Sequence, residues 1–378
     1  MHFLKKLGLW LSLLLFSLGL SIFTFSFIVN QTFGRVDVLK SWLADSNTYQ
    51  NFLDVASKQI KLDDEQPKDN QEQHKSLVNN EQLKTAVLKA FTAKSAQTWV
   101  ESVLDGIYAW LEGSAEQPSF TIDYSNEVSA FIDSMVDQVE VSYNALPECN
   151  TASARQQSQQ NPIEAICKAD ALPTDEIKQN LNDDLLGEGG VFEKTTFTQD
   201  DLKIDKQASF FSFNSSDEKT NPTEAAAKKA REVVFYKHPT FSKIPSYYQQ
   251  AKKVFWLGLI ISFVGAVLAI FLADSRKKGT RKLGWRLVTS SIISILGGII
   301  LLFGAKIFTG AVSSKDAIEV QDIALPFVNE MLKDIIVLSA IIATVLLAVG
   351  VTIIILTKDK TAAKAPQRLS GSPQPAKK

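Results

Sequence analysis

Four long apolar runs stand out against an otherwise polar chain, at residues 7–29, 254–273, 287–308 and 335–356. They are free of Asp, Glu, His and Arg. The single charge in them is Lys306, near the end of the third run, where a long side chain can snorkel. About 20 apolar residues at 1.5 Å each cross a hydrocarbon core of about 30 Å, so the pattern predicts four transmembrane helices. The first run exceeds the apolar region of about 7–15 residues found in a signal peptide, and it ends in bulky residues. It therefore reads as a retained signal anchor.

Between the first two runs, residues 30–253 alternate polar and apolar positions at mostly helical spacing. Leu39, Trp42 and Leu43 share one face; Tyr49, Phe52, Leu53 and Ala56 share the next, with Asp45, Ser46 and Asn47 as a turn between them. Leu83, Val87, Leu88 and Phe91 mark a third helix, and Trp99, Val103, Ile107 and Trp110 a fourth, closed by Gly113. Val128, Phe131, Ile132, Met135, Val136 and Val139 mark a fifth, and Thr174 opens a sixth. Alternation and β-branching predict short strands at 120–124, 191–198, 202–204 and 209–213. Residues 61–80 and 150–161 read as polar loops, and an Ala/Lys-rich helix is expected from Pro222 to Tyr236. The loop at 309–334 carries apolar residues at helical spacing around Pro326. It predicts an amphipathic helix kinked or interrupted at Pro326, lying at the membrane interface or packed under the polar domain.

The fold class expected is thus a mainly α membrane protein, with four transmembrane helices plus a mostly helical extracytoplasmic domain with minor β. Charge sets its direction. Lys5 and Lys6 precede the first span. Arg276, Lys277, Lys278, Arg281, Lys282 and Arg286 fill a short basic loop at 274–286, and the tail 357–378 is basic and reads as disordered. Short loops rich in Lys and Arg stay cytoplasmic. Residues 1–6, the basic loop and the tail then lie inside, in a multi-pass protein of the plasma (inner) membrane. These segments hold fourteen basic residues against Asp274 and Asp359. With an overall charge of −1, the remaining, mostly external part carries −13. So acidic a domain argues against nucleic acid as a partner.

Cys149 and Cys167 both fall in the external segment, where an oxidising compartment favours a disulfide between them. Three histidines leave little for His-based metal or triad chemistry. No calcium loop, phosphate loop or nucleophile elbow occurs, so no cofactor, metal or catalytic residue is assigned. Trp99, Tyr108 and Trp110 read as core packing or as an aromatic groove. Small residues recur within the spans: Gly258, Ser262, Gly265 and Ala269; Ser290, Ser294, Gly297 and Gly298; Ser339, Ala343 and Gly350. Such residues let helix backbones approach closely.

Residues 99–124 (WVESVLDGIYAWLEGSAEQPSFTIDY), followed by Leu146, Pro147, Glu148 and Cys149 and then by Cys167, resemble uncharacterised bacterial membrane proteins. Those have an anchor, a helical extracytoplasmic domain and C-terminal spans. The resemblance covers most of the chain and implies no activity. The order of one span, a large external domain and three further spans is similar to ABC permease subunits of the macrolide-exporter and cell-division type, although no sequence motif of theirs is present. The function expected is non-enzymatic: binding or sensing a protein or ligand at the cell envelope. The partners expected are membrane lipid and an envelope protein or a second copy of the chain. The alternatives are a permease-like subunit coupled to a cytoplasmic ATPase and, third, an envelope hydrolase.

Overall fold

The computed structural model describes residues 2–59, 77, 79–160, 165–205, 232–311 and 318–358, with side chains left undescribed between Gly297 and Asp322. The expected loop at 61–80 falls almost wholly outside these residues. So do the expected strand at 209–213, most of the helix from Pro222, and the tail from 359. The chain divides into two compact units. One comprises Met1–Val29, Lys253–Ala305 and Ile335–Lys378; the other comprises Asn30–Lys252 and Lys306–Asp334.

The first unit is built from four long helices: α1 (His2–Gln31), most of α9 (Ile244–Leu272), α10 (Arg276–Ala311) and the later part of α11 (Ile318–Leu356). Three helical stretches are long and apolar enough to cross a membrane: Phe3–Gln31, Phe241–Leu272 and Asp322–Leu356. The run at 287–308 lies within α10. That helix continues to Ala311, but its side chains beyond Gly297 are outside the described set. Leu9, Leu13, Phe16 and Leu20 of α1 pack with Ala269, Leu283 and Leu287 as a shared core. One boundary differs from the sequence reading. The basic residues 276–286 form the first three turns of α10 rather than a loop, and the link from α9 is three residues long. Lys and Arg are good helix formers, so a cationic run flanked by helix extends the helix.

The second unit holds α2 (Val36–Asp45), α3 (Thr48–Gln59), α4 (Asn80–Ala90), α5 (Ala93–Leu111), α6 (Ser125–Asn144), α7 (Ala152–Gln160) and α8 (Thr174–Leu186). Two small antiparallel sheets join them. β1 (Thr121–Asp123) pairs with β2 (Thr196–Thr198), and β3 (Lys203–Asp205) pairs with β4 (Glu232–Val234). Helix α6 is the pillar. Its positions 128, 132 and 139 recur at helical spacing and are almost wholly buried, against Ala86 and Ala90 of α4 and Ile177 of α8. Asn79 caps α4 through the Gln82 N–H, and the Gln82 side chain accepts from the Asn79 N–H in return. Thr92 caps α5. Between α2 and α3, Asn47 takes a left-handed conformation (φ 52°), which asparagine tolerates. Gly113 does the same after α5 (φ 77°).

Three local expectations fail. Residues 152–160 are helix α7, not a loop; Thr151 accepts a hydrogen bond from the Ala154 N–H at its start. The expected helix reaching Tyr236 is replaced over its last residues by β4 and a 3₁₀ turn at Phe235–Lys237. There Val233 and Val234 find partners in β3, and strand pairing overrides local propensity. Of the expected strand at 191–198, only Thr196–Thr198 pairs.

The turn after β2 carries a pH-dependent contact. Asp201 accepts from the Thr198 N–H (2.8 Å) and hydroxyl (2.9 Å) and pairs with Lys194. The Lys194 ammonium, followed by the two Thr198 donors, holds the Asp201 carboxyl down at about 2. A carboxyl depressed on folding stabilises the folded state above its ordinary value near 3.9 and loses that contribution as pH falls through its folded value. The difference in melting temperature between wild type and Asp201→Asn is therefore expected to shrink between about pH 4 and pH 2. A constant difference across that window would remove the role assigned to the ionised side chain.

Candidate functional site

Helix α5 presents a polar face to a groove of the second unit. Its outward positions 94, 97, 98, 101, 102 and 105 follow helical spacing, and they line a concavity of about 740 Å³. The groove closes at one end where Gly106 abuts the backbone before β1. A Cβ there would lie 2.4 Å from the Ser119 carbonyl oxygen, so only glycine permits the approach. Lys40 of α2 reaches across to Asp105 (2.6 Å) and lies 3.9 Å from Glu101. Gln97 donates to Glu101 at 2.7 Å. Glu101, Asp105 and Gln97 of the groove are thus tied into a network with Lys40.

Behind this face, Tyr49 is buried with Leu53 and Ala96, and its hydroxyl finds no hydrogen-bond partner among the described residues. Burial, and secondarily the charge of Glu101, push its phenol up to about 12. A buried hydroxyl without a partner costs about 1–3 kcal/mol in lost solvation. Tyr49→Phe is therefore expected to leave thermal stability unchanged or to raise it by about 1 kcal/mol. A clear drop in melting temperature would show that the hydroxyl is engaged.

The aromatic residues of α5 do not gather in one groove. Trp99 meets Phe91 and Tyr124, Trp110 meets Phe235, and the Tyr108 hydroxyl donates to the Phe33 carbonyl while its ring edge meets Tyr248. Cys149 and Cys167 form a disulfide with Cα atoms 5.0 Å apart. No group of three His, Cys, Asp or Glu side chains placed to hold a metal occurs among the described residues.

In the first unit, Gly258, Ser262, Gly265 and Ala269 fall on one face of α9. Cβ atoms on Gly258 and Gly265 would lie 2.6 Å and 2.5 Å from the backbone nitrogens of Phe23 and Phe16. The matching small residue on α1 is Gly19, whose Cβ would sit 2.4 Å from the Ser262 nitrogen. Gly265→Leu is expected to cost about 1–3 kcal/mol by forcing α1 and α9 apart. Thermal denaturation of the detergent-solubilised protein measures it, and an unchanged midpoint would refute the close crossing. Gly350 of α11 meets Gly284 of α10 in the same way, and Ser291 donates to the Ala343 carbonyl at 2.7 Å. Ser290, Ser294, Gly297 and Ser339 line a cavity instead, and a Cβ on Gly297 would meet nothing within 4 Å. Gly298 lies in α10 where surroundings are outside the described residues. Lys5, Lys6 and Lys282 face a common pocket with Trp10 and Asp274. Arg276, Lys277, Lys278 and Arg281 belong to the opening turns of α10, and Arg286 borders the Ser290 cavity.

Sequence reasoning missed Gly19, Gly284 and Ser291. Gly19 was legible as a small residue in an apolar run; Gly284 was hidden by its place among basic residues. No protein-family model, curated protein or solved structure matches the chain.

Proposed function

We propose that the chain is a four-span protein of a bacterial plasma (inner) membrane, with both termini cytoplasmic and the second unit outside. Its external unit binds a polar segment of an envelope protein along the α5 groove. Three helices long enough to span, the apolar run at 287–308 and the basic residues at the start of α1, in the opening turns of α10 and after α11 support this topology. The observation that carries the binding role is the groove itself. Its carboxylates, hydroxyls and single amide stand on one helix, with Thr98 and Asp105 exposed, and they offer hydrogen bonds to a partner rather than a nucleophile with a base.

Reporter fusions after Arg276 and near Ser313 test the topology; an active external reporter at Arg276 overturns it. The binding role is tested by purifying tagged protein from its host in mild detergent. Wild type, Glu101→Lys and Asp105→Lys are compared by mass spectrometry of co-purified proteins. An envelope protein recovered with wild type and lost from both variants supports the groove. A cytoplasmic ATPase recovered equally with all three would replace this reading with the permease-like one.

A further inference from the structure

Arg286 gains its meaning from the extension of α10. The helix begins at Arg276, so Arg286 stands ten residues in, about 15 Å along the axis. From there Arg286, Ser290 and Ser294 descend one face at intervals of four. They border a cavity of about 360 Å³ enclosed by α1, α10 and α11. Across it, α1 contributes Ser17, Ser21 and Thr24, and α11 contributes Ser339. Arg286 is the one charged group among the described lining residues. Arg286 is half-buried, and no carboxylate lies among the described lining residues, so an anion would complement its charge.

The apolar lining consists of Leu20, Phe25, Ile28, Ile293 and Leu346. Phe25 and Ile293 border the cavity while remaining 70% and 68% exposed, so the cavity opens sideways, where a membrane would place hydrocarbon. Arg286 and the hydroxyls give the cavity a polar interior, and Phe25 and Ile293 give it an apolar mouth. Its volume lies at the low end of ligand-sized cavities, about 300–1,000 Å³, with room for a headgroup and a short length of chain.

We propose that this cavity is a binding site for an anionic phospholipid. The phosphodiester is held by Arg286 with hydroxyls of the α10 ladder, and an acyl chain leaves past Phe25 and Ile293. Guanidinium suits this task because its fork of donors matches two phosphate oxygens. The inference rests on the membrane reading alone and is independent of the α5 groove. Recovery of the protein in the soluble fraction would defeat both; the lipid outcomes below bear on this site only.

The test is quantification of phospholipid retained by full-length protein after purification in mild detergent, followed by reconstitution in phosphatidylcholine nanodiscs with and without phosphatidylglycerol. Wild type is expected to retain about one anionic lipid per chain, and Arg286→Gln to retain at least about tenfold less, the scale of a lost charge-assisted contact. Lys282→Gln, outside the cavity, should retain it. Gly297→Phe provides a second arm that leaves Arg286 intact. A Cβ at Gly297 would meet nothing within 4 Å, so a ring added there is expected to enter the cavity and displace the lipid. Equal retention by Arg286→Gln or by Gly297→Phe overturns the proposal. So does retention of zwitterionic lipid in place of anionic lipid. Stabilisation of lipid-depleted wild type by inorganic phosphate but not by phosphatidylglycerol would overturn it in favour of a small-anion site.

Discussion

Replacing Trp42 by alanine is expected to destabilise the second unit by about 3–5 kcal/mol, the range for removing a large aromatic from a core. Trp42 is 1% exposed on α2, with the edges of Phe33 and Phe327 against it, ring centroids 5.6 Å and 6.3 Å away. Its indole N–H donates to the Asp334 carboxylate at 2.7 Å. The residue therefore joins α2 to the early part of α11, and its loss removes packing and hydrogen bond together. Trp42→Phe keeps most of the buried area and should recover most of the stability. Asp334→Asn keeps an acceptor and should cost about 1 kcal/mol or less. Melting of the detergent-solubilised protein, followed by circular dichroism, should show Trp42→Ala lowered by on the order of 10 °C. A Trp42→Ala shift no larger than that of Asp334→Asn would mean that the aromatic cluster does not hold the segment.

A second contact of α11 explains why it runs through Pro326 without ending. Proline has no N–H, so the carbonyl four residues earlier, that of Asp322, loses its helical donor. Asn51 of α3 supplies a replacement, its side-chain amide donating to the Asp322 oxygen at 3.2 Å. Taken alone, the sequence predicts a kink or an interruption at Pro326; the helix is not interrupted. The repair comes from a residue 271 positions away, which no local pattern can reveal.

Elsewhere the sequence was legible where a single periodicity decides the matter. The buried face of α6 is the stripe that its spacing predicts, because only one arrangement hides Val128, Ile132 and Val139 together. The face of α10 was harder. It carries small residues at 290, 291 and 294, and composition does not say which of them meets a neighbour. Packing selects Ser291, which is fully buried, and turns Ser290 and Ser294 toward the cavity. Arg286 was read as a topology signal, since the positive-inside rule speaks of sides and not of backbone conformation. Its place beside a cavity emerged only once the first turns of α10 were known. The α5 groove left no motif at all, because the ion pairs of Glu101 and Asp105 depend on Lys40 arriving from another helix.

Removing the Cys149–Cys167 disulfide, by Cys149→Ser or by reductant, is expected to cost about 3 kcal/mol, the chain-entropy value for a loop of this size. The loss should be local. Helix α7, inside the loop, is Ser- and Gln-rich and buries only Ser158, whose hydroxyl lies 3.5 Å from the Cys167 sulfur. It has no apolar stripe of its own, which is why the sequence read as a loop; a nine-residue helix of that kind is marginal in water. The strand-like bridge beside the bond shares the strain of its loss. The Cys149 N–H donates to the Lys168 carbonyl and the Lys168 N–H to the Pro147 carbonyl, at 3.1 Å and 2.7 Å. The Tyr143 hydroxyl, accepting from the Ala169 N–H at 2.9 Å, ties that bridge to α6, whose core should survive. Trypsin reports the difference through Arg155 in α7. Cleavage there should be slow in the oxidised protein and fast in the Ser variant or after reduction, with the α6 core still folded. Equal cleavage in both forms would show that α7 stands without its staple. The proposed topology adds a condition, because such bonds persist only outside the reducing cytoplasm. In intact cells the thiols should be blocked to maleimide until a reductant is added; thiols that react at once would count against both the bond and the external placement of the unit that carries it.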